Sequence, residues 1–317
     1  MNILLVHNYY KIRGGEDSVF ENESRELEKR GHKVIIYTRK NSEIDKYNFI
    51  QKILFFPRSV YNFKTIGDLK KILKNETIDI AHIHNVFPII SPSIYRYLKK
   101  KGIKTVQTIH NYRFLCPNGL FFRDGSVCEL CSNGNYFNAV KYKCYKDSKI
   151  FSLLYSTIIK LNYKVFRNFI DGYIALTEFT KSKLVDSGFN ENKIYIKANG
   201  MIDKRQTVSE TKNYFLYIGR LSKEKGIDFL LESFSKITNM KLIIAGDYSK
   251  SPEYYEKYKG CPNIKFFGFA GEAQKDTLIN ESLAVIVPSV CYDNYPIALV
   301  EAFRAGITAV GSAIGGI

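Results

Sequence analysis

The sequence predicts an α/β protein made of two successive doubly wound parallel sheets. Strand-like and helix-like segments alternate along nearly all of the 317 residues, the pattern of parallel strands joined by helices. The strand-like runs are short and apolar throughout, as expected of strands covered on both faces. A polar stretch, 203–213, separates one alternating series from a second, and a chain of this length exceeds one ordinary core.

In the first series, residues 3–7 are an apolar run, and Ser18–Lys29 carries helical charge spacing. Gly31-His32-Lys33 turns the chain into the strand Val34–Tyr37. Helix Ile66–Leu73 precedes strand Ile78–Ile83, and helix Ile94–Lys100 precedes strand Lys104–Ile109. Residues 111–149 break the pattern: they are rich in Cys, Asn, Gly, Tyr and Lys, and an insert that long between units is more often functional than not. Helix Phe151–Arg167, strand Gly172–Leu176, helix Glu178–Ser187 and strand Lys193–Ile196 complete the first domain, residues 1–202. The second, 214–317, has strands at Tyr214–Ile218, Lys241–Ala245, Ile264–Phe267, Leu283–Val287 and Thr308–Val310. The chain stops at Gly315-Gly316-Ile317, where a glycine pair after a parallel strand is expected to lead into a helix. The expectation is therefore that this domain is incomplete.

Composition narrows the function classes. Apolar residues make up 45% of the chain, which argues against disorder. Met1 opens directly into an apolar strand, with no basic region and no cleavage site of a signal peptide. No apolar run reaches the ~20 residues of a membrane span. The net charge of +16 favours an anionic partner or serves solubility. Basic residues are scattered and no nucleic-acid recognition module is visible. Six cysteines in a chain this size do not form a secreted disulfide scaffold and fit a reducing cytoplasm.

Several polar and glycine positions fall at the carboxyl ends of the predicted strands, where doubly wound sheets bind ligands. Arg13-Gly14-Gly15-Glu16 follows the first strand and precedes a helix, so its glycines allow backbone N–H groups to approach an anion. It lacks the spacing of the dinucleotide fingerprint. Gly219-Arg220-Leu221-Ser222-Lys223-Glu224-Lys225-Gly226 follows the strand 214–218. A guanidinium and an ammonium at that edge neutralise a diphosphate. Asp293 precedes the helical stretch Ile297–Arg304, which contains Glu301. Carboxylates placed there accept hydrogen bonds from sugar or ribose hydroxyls, although surface acids are common on any helix.

Taken in order, Gly14-Gly15, Asn199-Gly200, the 219–226 run, Ala245-Gly246 and the Asp293…Glu301 spacing resemble the retaining glycosyltransferases of family 4. The resemblance spans nearly the whole chain, and the 219–226 run is its most specific element. It implies the GT-B fold, two Rossmann-like domains facing a cleft, and transfer of a sugar from a UDP- or GDP-sugar to a glycan or lipid-linked acceptor in cell-surface polysaccharide synthesis. It implies that Arg220 and Lys225 bind the donor pyrophosphate and stabilise the leaving diphosphate. Glu301 would hold the ribose, and Asp293, where the family usually has Glu, would lie near the donor sugar. His110 matches a histidine that contacts that sugar. Gly14, Gly15, Asn199, Gly200, Gly219 and Gly246 would line the donor site, and Glu178 matches a further position. Ala198 replaces a usual proline. Fixed cations beside the departing phosphate lower the barrier without a metal, and no Asp-x-Asp motif is present, so no catalytic cofactor is expected.

Three features stand beside this reading. Cys128 and Cys131 have the close spacing of two zinc thiolates, and Cys116 and Cys144 complete a set of four, as in a bacterial subgroup that this chain resembles. The spacing is not that of a zinc ribbon, which leaves structural zinc, thiols and a labile disulfide all open. His82 and His84 flank a strand end and read as structural or acceptor-side more readily than as metal ligands. Residues 139–168 hold seven Lys and Arg against one Asp, interleaved with Tyr, Phe and Ile. Such a segment suits either a peripheral place on an anionic membrane or an ordinary core helix with a solvated basic face. Competing functions are a sugar-nucleotide epimerase on the same scaffold, marked by turnover without acceptor, and a non-enzymatic anion-binding protein, motivated by charge alone.

Overall fold

The computed structural model describes residues 1–201 and 212–317. Two compact units emerge: Met1–Phe121 with Glu129–Gly200, and Met201–Ile317 with Phe122–Cys128. The expected linker, 203–213, lies outside the described residues except for Lys212 and Asn213.

In chain order the first strands are β1 (Asn2–Tyr9), β2 (Lys33–Lys40), β3 (Ile80–Ile83) and β4 (Lys104–Ile109). They are followed by the short antiparallel pair β5 (Phe122–Arg123) and β6 (Ser126–Val127), then β7 (Gly172–Ala175) and β8 (Ile194–Ile196). Six of these form one all-parallel sheet in the order β2-β1-β3-β4-β7-β8. β1 is apolar along most of its length, with Leu4, Leu5 and Val6 fully buried, as a central parallel strand requires. The neighbours of β1 are β2 and β3, so the chain winds one way to β2 and then crosses back over β1. The sheet's direction of growth reverses there, and a crevice opens at the carboxyl ends of the two strands that flank the reversal.

The second unit repeats this arrangement. Strands β9 (Phe215–Ile218), β10 (Leu242–Ala245), β11 (Ile264–Gly268), β12 (Ala284–Val287) and β13 (Thr308–Gly311) lie parallel in the order β11-β10-β9-β12-β13. Growth reverses between β9 and β12. Side chains alternate across β9: Tyr217 joins the core with Leu230, Phe234 and Ile244 on one face, and Leu216 joins Val285, Leu278 and Leu299 on the other. Both faces are covered by helices, as the apolar runs predicted.

Most predicted elements sit where expected, with shifts of up to three residues at their ends. The first helix begins at Gly15, not Ser18, because Asp17 caps it: the Gly14 amide donates to Asp17 Oδ2 at 2.9 Å. The stretch 151–167 is two helices, Lys149–Leu161 and Tyr163–Asn168. They part at Asn162, whose buried side-chain amide donates to the Ile158 carbonyl at 3.0 Å. Residues 41–60, which had no prediction, form a 3₁₀ turn and two short helices. Within the insert, Tyr112, Phe114, Leu115, Phe121 and Tyr136 are buried, so it builds its own apolar centre despite its polar composition.

Candidate functional site

In the first unit the crevice at the β1/β3 reversal is filled by imidazoles. His7 lies on β1, His82 on β3, His84 one residue beyond β3, and His110 one residue beyond β4. The rings of His82 and His84 are 4.4 Å apart and those of His84 and His110 5.1 Å. His84 Nδ1 and His110 Nε2 share a hydrogen bond of 2.9 Å. Burial, with the neighbouring imidazoles adding to it, holds His84 well below the usual histidine range and lowers His110 to about 3. Burial also lowers His82. These three rings are neutral at physiological pH and act as hydrogen-bonding groups, not as charges.

A recess beside them is lined by His84, Asn85, Gln107, His110, Asn111 and Arg113. The first helix supplies its acid. Glu16 accepts from Asn85 Nδ2 at 3.2 Å and from Asn111 Nδ2 at 3.3 Å. Burial and the adjacent Asp17 push its carboxyl up to about 8. Arg113 donates to the hydroxyls of Tyr10 at 3.2 Å and Tyr155 at 3.1 Å. It fits because residue 119 is glycine: a Cβ there would stand 2.8 Å from Arg113 Cγ. Gly14 and Gly15 lie on the same edge, at the start of the helix, with open space around the Gly14 Cα.

In the second unit the loops that follow β9 and β12 meet at the β9/β12 reversal. Lys225 Nζ pairs with Asp293 Oδ2, and Ser289 Oγ donates to the same oxygen at 2.8 Å. The Val290 amide donates to the Glu224 carbonyl at 3.0 Å. Gly226 is left-handed at φ 69°, and a Cβ there would fall 1.9 Å from the Pro288 carbonyl oxygen. Only glycine allows the two loops to approach this closely. Gly246 plays the same part beside the third loop, where a Cβ would meet the Gly219 carbonyl at 2.2 Å. Arg220 pairs with Glu224 at 3.3 Å and keeps 60% of its side chain exposed. The edge therefore carries an accessible guanidinium, and an ammonium held in place by a carboxylate. Such groups bind an anion through charge-assisted hydrogen bonds.

Glu301, on the helix Ile297–Arg304, is 3% exposed and paired through Oε1 with Lys275. Its carboxyl is raised by burial. The polar face expected of this helix thus turns inward at this position. Asn199 is buried and Gly200 exposed at the end of the first unit. Glu178 opens the helix Glu178–Asp186, capped by Thr177. Cys116 and Cys131 are buried, Cys128 and Cys144 half-buried, and all four are thiols, not disulfides. They lie in turns of the insert, where the Cys116 amide donates to the Tyr112 carbonyl and the Cys144 amide to that of Ala139.

Sequence reasoning missed Glu16 as a half-buried acid, and it missed Glu23, Asn85, Arg113, Lys275 and Ser289. The signal for the first two was present: Glu16, Phe20 and Glu23 recur at helical spacing on the face that packs against the sheet.

A family model described as Glycosyltransferase Family 4 matches residues 13–205, and one described as Glycosyl transferases group 1 matches residues 201–317. The chain is 25% identical over its whole length to an uncharacterized 42.6 kDa protein in the cps region of Klebsiella pneumoniae, covering 86% of that protein. It is 21% identical to the N-acetyl-alpha-D-glucosaminyl L-malate synthase of Bacillus anthracis, over 97% of this chain and 78% of that one. Among solved structures, Anabaena HepE in complex with UDP-glucose superposes with a TM-score of 0.61 at 14% identity, over 100% of this chain and 81% of that one. Sucrose-phosphate synthase from Thermosynechococcus elongatus superposes with a TM-score of 0.67 at 16% identity, over 99% and 82%. Both likenesses concern the fold: two Rossmann-like lobes of GT-B architecture.

The raised Glu16 carboxyl has a measurable consequence. Its folded value, about 8, exceeds the ordinary 4.5, so between those values the folded chain binds more protons than the unfolded one. Stability is then lost as pH rises through this window. Glu16→Gln removes the titration. Its unfolding free energy, followed by denaturant titration, should gain on the wild type between pH 5 and pH 8 by on the order of 2 kcal/mol, less than the full shift implies because Glu16 keeps some solvent contact. A difference that stays flat with pH would show an ordinary carboxyl.

Proposed function

The chain belongs to glycosyltransferase family 4 and moves a sugar from a nucleotide-sugar donor to an acceptor; from that premise we propose that the donor's diphosphate binds at the β9/β12 edge of the second unit. The observation that carries this reading is the Lys225–Asp293 pair beside exposed Arg220, with glycines at 219, 226 and 246 that let the loops close up. As the anomeric C–O bond breaks, negative charge grows on the departing phosphate. Cations already fixed there stabilise it without reorganising. Arg220 and Lys225 are the groups in this position, and Asp293 holds the Lys225 ammonium in place until the phosphate shares it. Glu301, held by Lys275 through one oxygen, offers the other to the ribose hydroxyls. Gly14 and Gly15 leave backbone amides accessible to an anion, and Asn199 and Gly200 belong to the same donor set. His110, neutral and bonded to His84, contacts the donor sugar. Retention of configuration follows from attack on the face that the phosphate leaves, with the phosphate accepting the acceptor's proton. The donor is a UDP- or GDP-sugar, and the acceptor is a glycan or a lipid-linked glycan in cell-surface polysaccharide synthesis.

The place of action is the cytoplasm, on the inner face of the membrane. No helix among the described residues is long and apolar enough to cross a membrane. A surface that suits attachment exists in the first unit: Phe49, Ile50, Ile53 and Phe63, with Ile150, Leu153 and Leu161, are exposed, and Lys52, Lys64, Lys149 and Lys160 lie among them in sequence. Apolar anchors with lysines between them favour an anionic bilayer surface. Cys116, Cys128, Cys131 and Cys144 hold a structural zinc that secures the insert, for which four thiols in a loop-rich segment are suitable donors.

Three outcomes follow. UDP- or GDP-sugar should raise the melting temperature of the wild type, and Arg220→Ala should abolish that shift and lower kcat/KM about 10²-fold; an unchanged shift would remove Arg220 from the donor site. Flotation with vesicles rich in anionic lipid should carry the protein upward at low salt and release it at high salt, whereas equal flotation with neutral vesicles or none at all counts against attachment. Metal analysis of the purified chain should find zinc that Cys128→Ser loses, and zinc-free protein would dismiss the cysteine site.

A further inference from the structure

The imidazole row contains donor atoms that sugar transfer leaves unused. His84 is fully buried, and its Nε2 has no hydrogen-bond partner, a costly state for a polar atom away from water. Glu23, on the first helix, lies opposite it. Glu23 Oε2 is 3.7 Å from His84 Nε2, and Glu23 Oε1 is 3.6 Å from His82 Nδ1. These separations exceed a hydrogen bond. Both rings are held neutral by burial, so they are not ion pairs either. One carboxylate therefore straddles two imidazole nitrogens, and all three donor atoms lie within 4.8 Å of one another.

We propose that Glu23, His82 and His84 bind one divalent transition-metal ion, Zn²⁺, at the β1/β3 reversal. Ligand atoms about 2.1 Å from a tetrahedral zinc stand about 3.4 Å from each other, close to the separations observed. Two imidazoles and one carboxylate select zinc, cobalt or nickel over magnesium and calcium, which prefer oxygen throughout. The opposite nitrogens are engaged as the outer contacts of a metal site usually are: His82 Nε2 shares a 2.7 Å hydrogen bond with Thr108 Oγ1, and His84 Nδ1 one of 2.9 Å with His110. Lys197 Nζ stands 3.3 Å from Glu23 Oε1 and is 54% exposed. It occupies the carboxylate when no ion is present and swings into solvent when one binds. The second cluster, His7 with Glu16 and Asp17, is different: His7 Nε2 already meets Asp17 Oδ1 at 2.7 Å, which leaves no place for an ion between them.

The ion also sets a tautomer. With His84 bound through Nε2, its proton sits on Nδ1 and is donated to His110 Nε2, which puts the His110 proton on Nδ1. Where His110 contacts the sugar (the one part that rests on the function proposed above), the metal thereby fixes which nitrogen offers a donor.

The full chain, stripped by chelator, is titrated with Co²⁺ and then competed with Zn²⁺, with far-ultraviolet circular dichroism as the check on folding. Cobalt at this site gives d–d absorption without the thiolate charge-transfer band that cysteine ligands produce, so the two metal sites are read separately. Glu23→Gln should weaken the thiolate-free cobalt binding by more than the ~10- to 100-fold of an outer-contact change. Lys197→Ala should strengthen it, and Cys128→Ser should leave it unchanged. Thiolate-free cobalt binding that is absent in the wild type, or equal in wild type and a folded Glu23→Gln, overturns the proposal whatever the chain does to sugars.

Discussion

The reversal of strand order, between β1 and β3 in one unit and between β9 and β12 in the other, governs where chemistry can occur in this chain. Parallel strands cannot be joined by tight turns, so each connection crosses a face of the sheet as a helix. Where two successive crossovers leave on opposite sides, the loops at the carboxyl ends diverge and a crevice remains. The imidazoles and Glu16 occupy one such crevice, and Arg220, Lys225 and Asp293 the other. The two sets differ in electrostatics. The first is a buried cluster of neutral rings and a carboxyl held near neutrality. The second is a set of charges, partly paired and partly open to solvent.

Charged and neutral edges suit different ligand chemistries. The departing nucleoside diphosphate is the strongly charged partner, and cations in a fixed frame stabilise it. Sugar hydroxyls carry no charge, and neutral imidazoles and amides recognise them through hydrogen bonds whose strength survives burial. Glycine at 226 is a structural condition of the charged site, since a side chain there would force apart the loops that hold Lys225 and Asp293, and glycine at 246 lets the loop after β10 approach Gly219.

Much of this was legible in the sequence, because its periodicities report burial. Short apolar runs such as 3–7 and 283–287 have little choice but to be central strands. The run from Gly219 to Gly226 carried its meaning in glycine placement and in its position after a strand. The pairings of the charged side chains were not legible. Nothing in the spacing of Lys275 and Glu301 announces their contact, because two separate helices bring them together. Glu23 was hidden for the same reason: its significance depends on β3 lying beside the first helix, a tertiary fact. The insert resisted reading because its polar composition masked a core of Tyr and Phe, and the break at Asn162 comes from one side-chain hydrogen bond within an otherwise continuous helical pattern.

The most direct measurement is a crystal structure of this chain with UDP-glucose. The diphosphate should lie at the carboxyl edge of β9 and β12, in hydrogen-bonding contact with Lys225 and the Arg220 guanidinium. A diphosphate bound anywhere else, with the Lys225–Asp293 pair undisturbed, would contradict this placement.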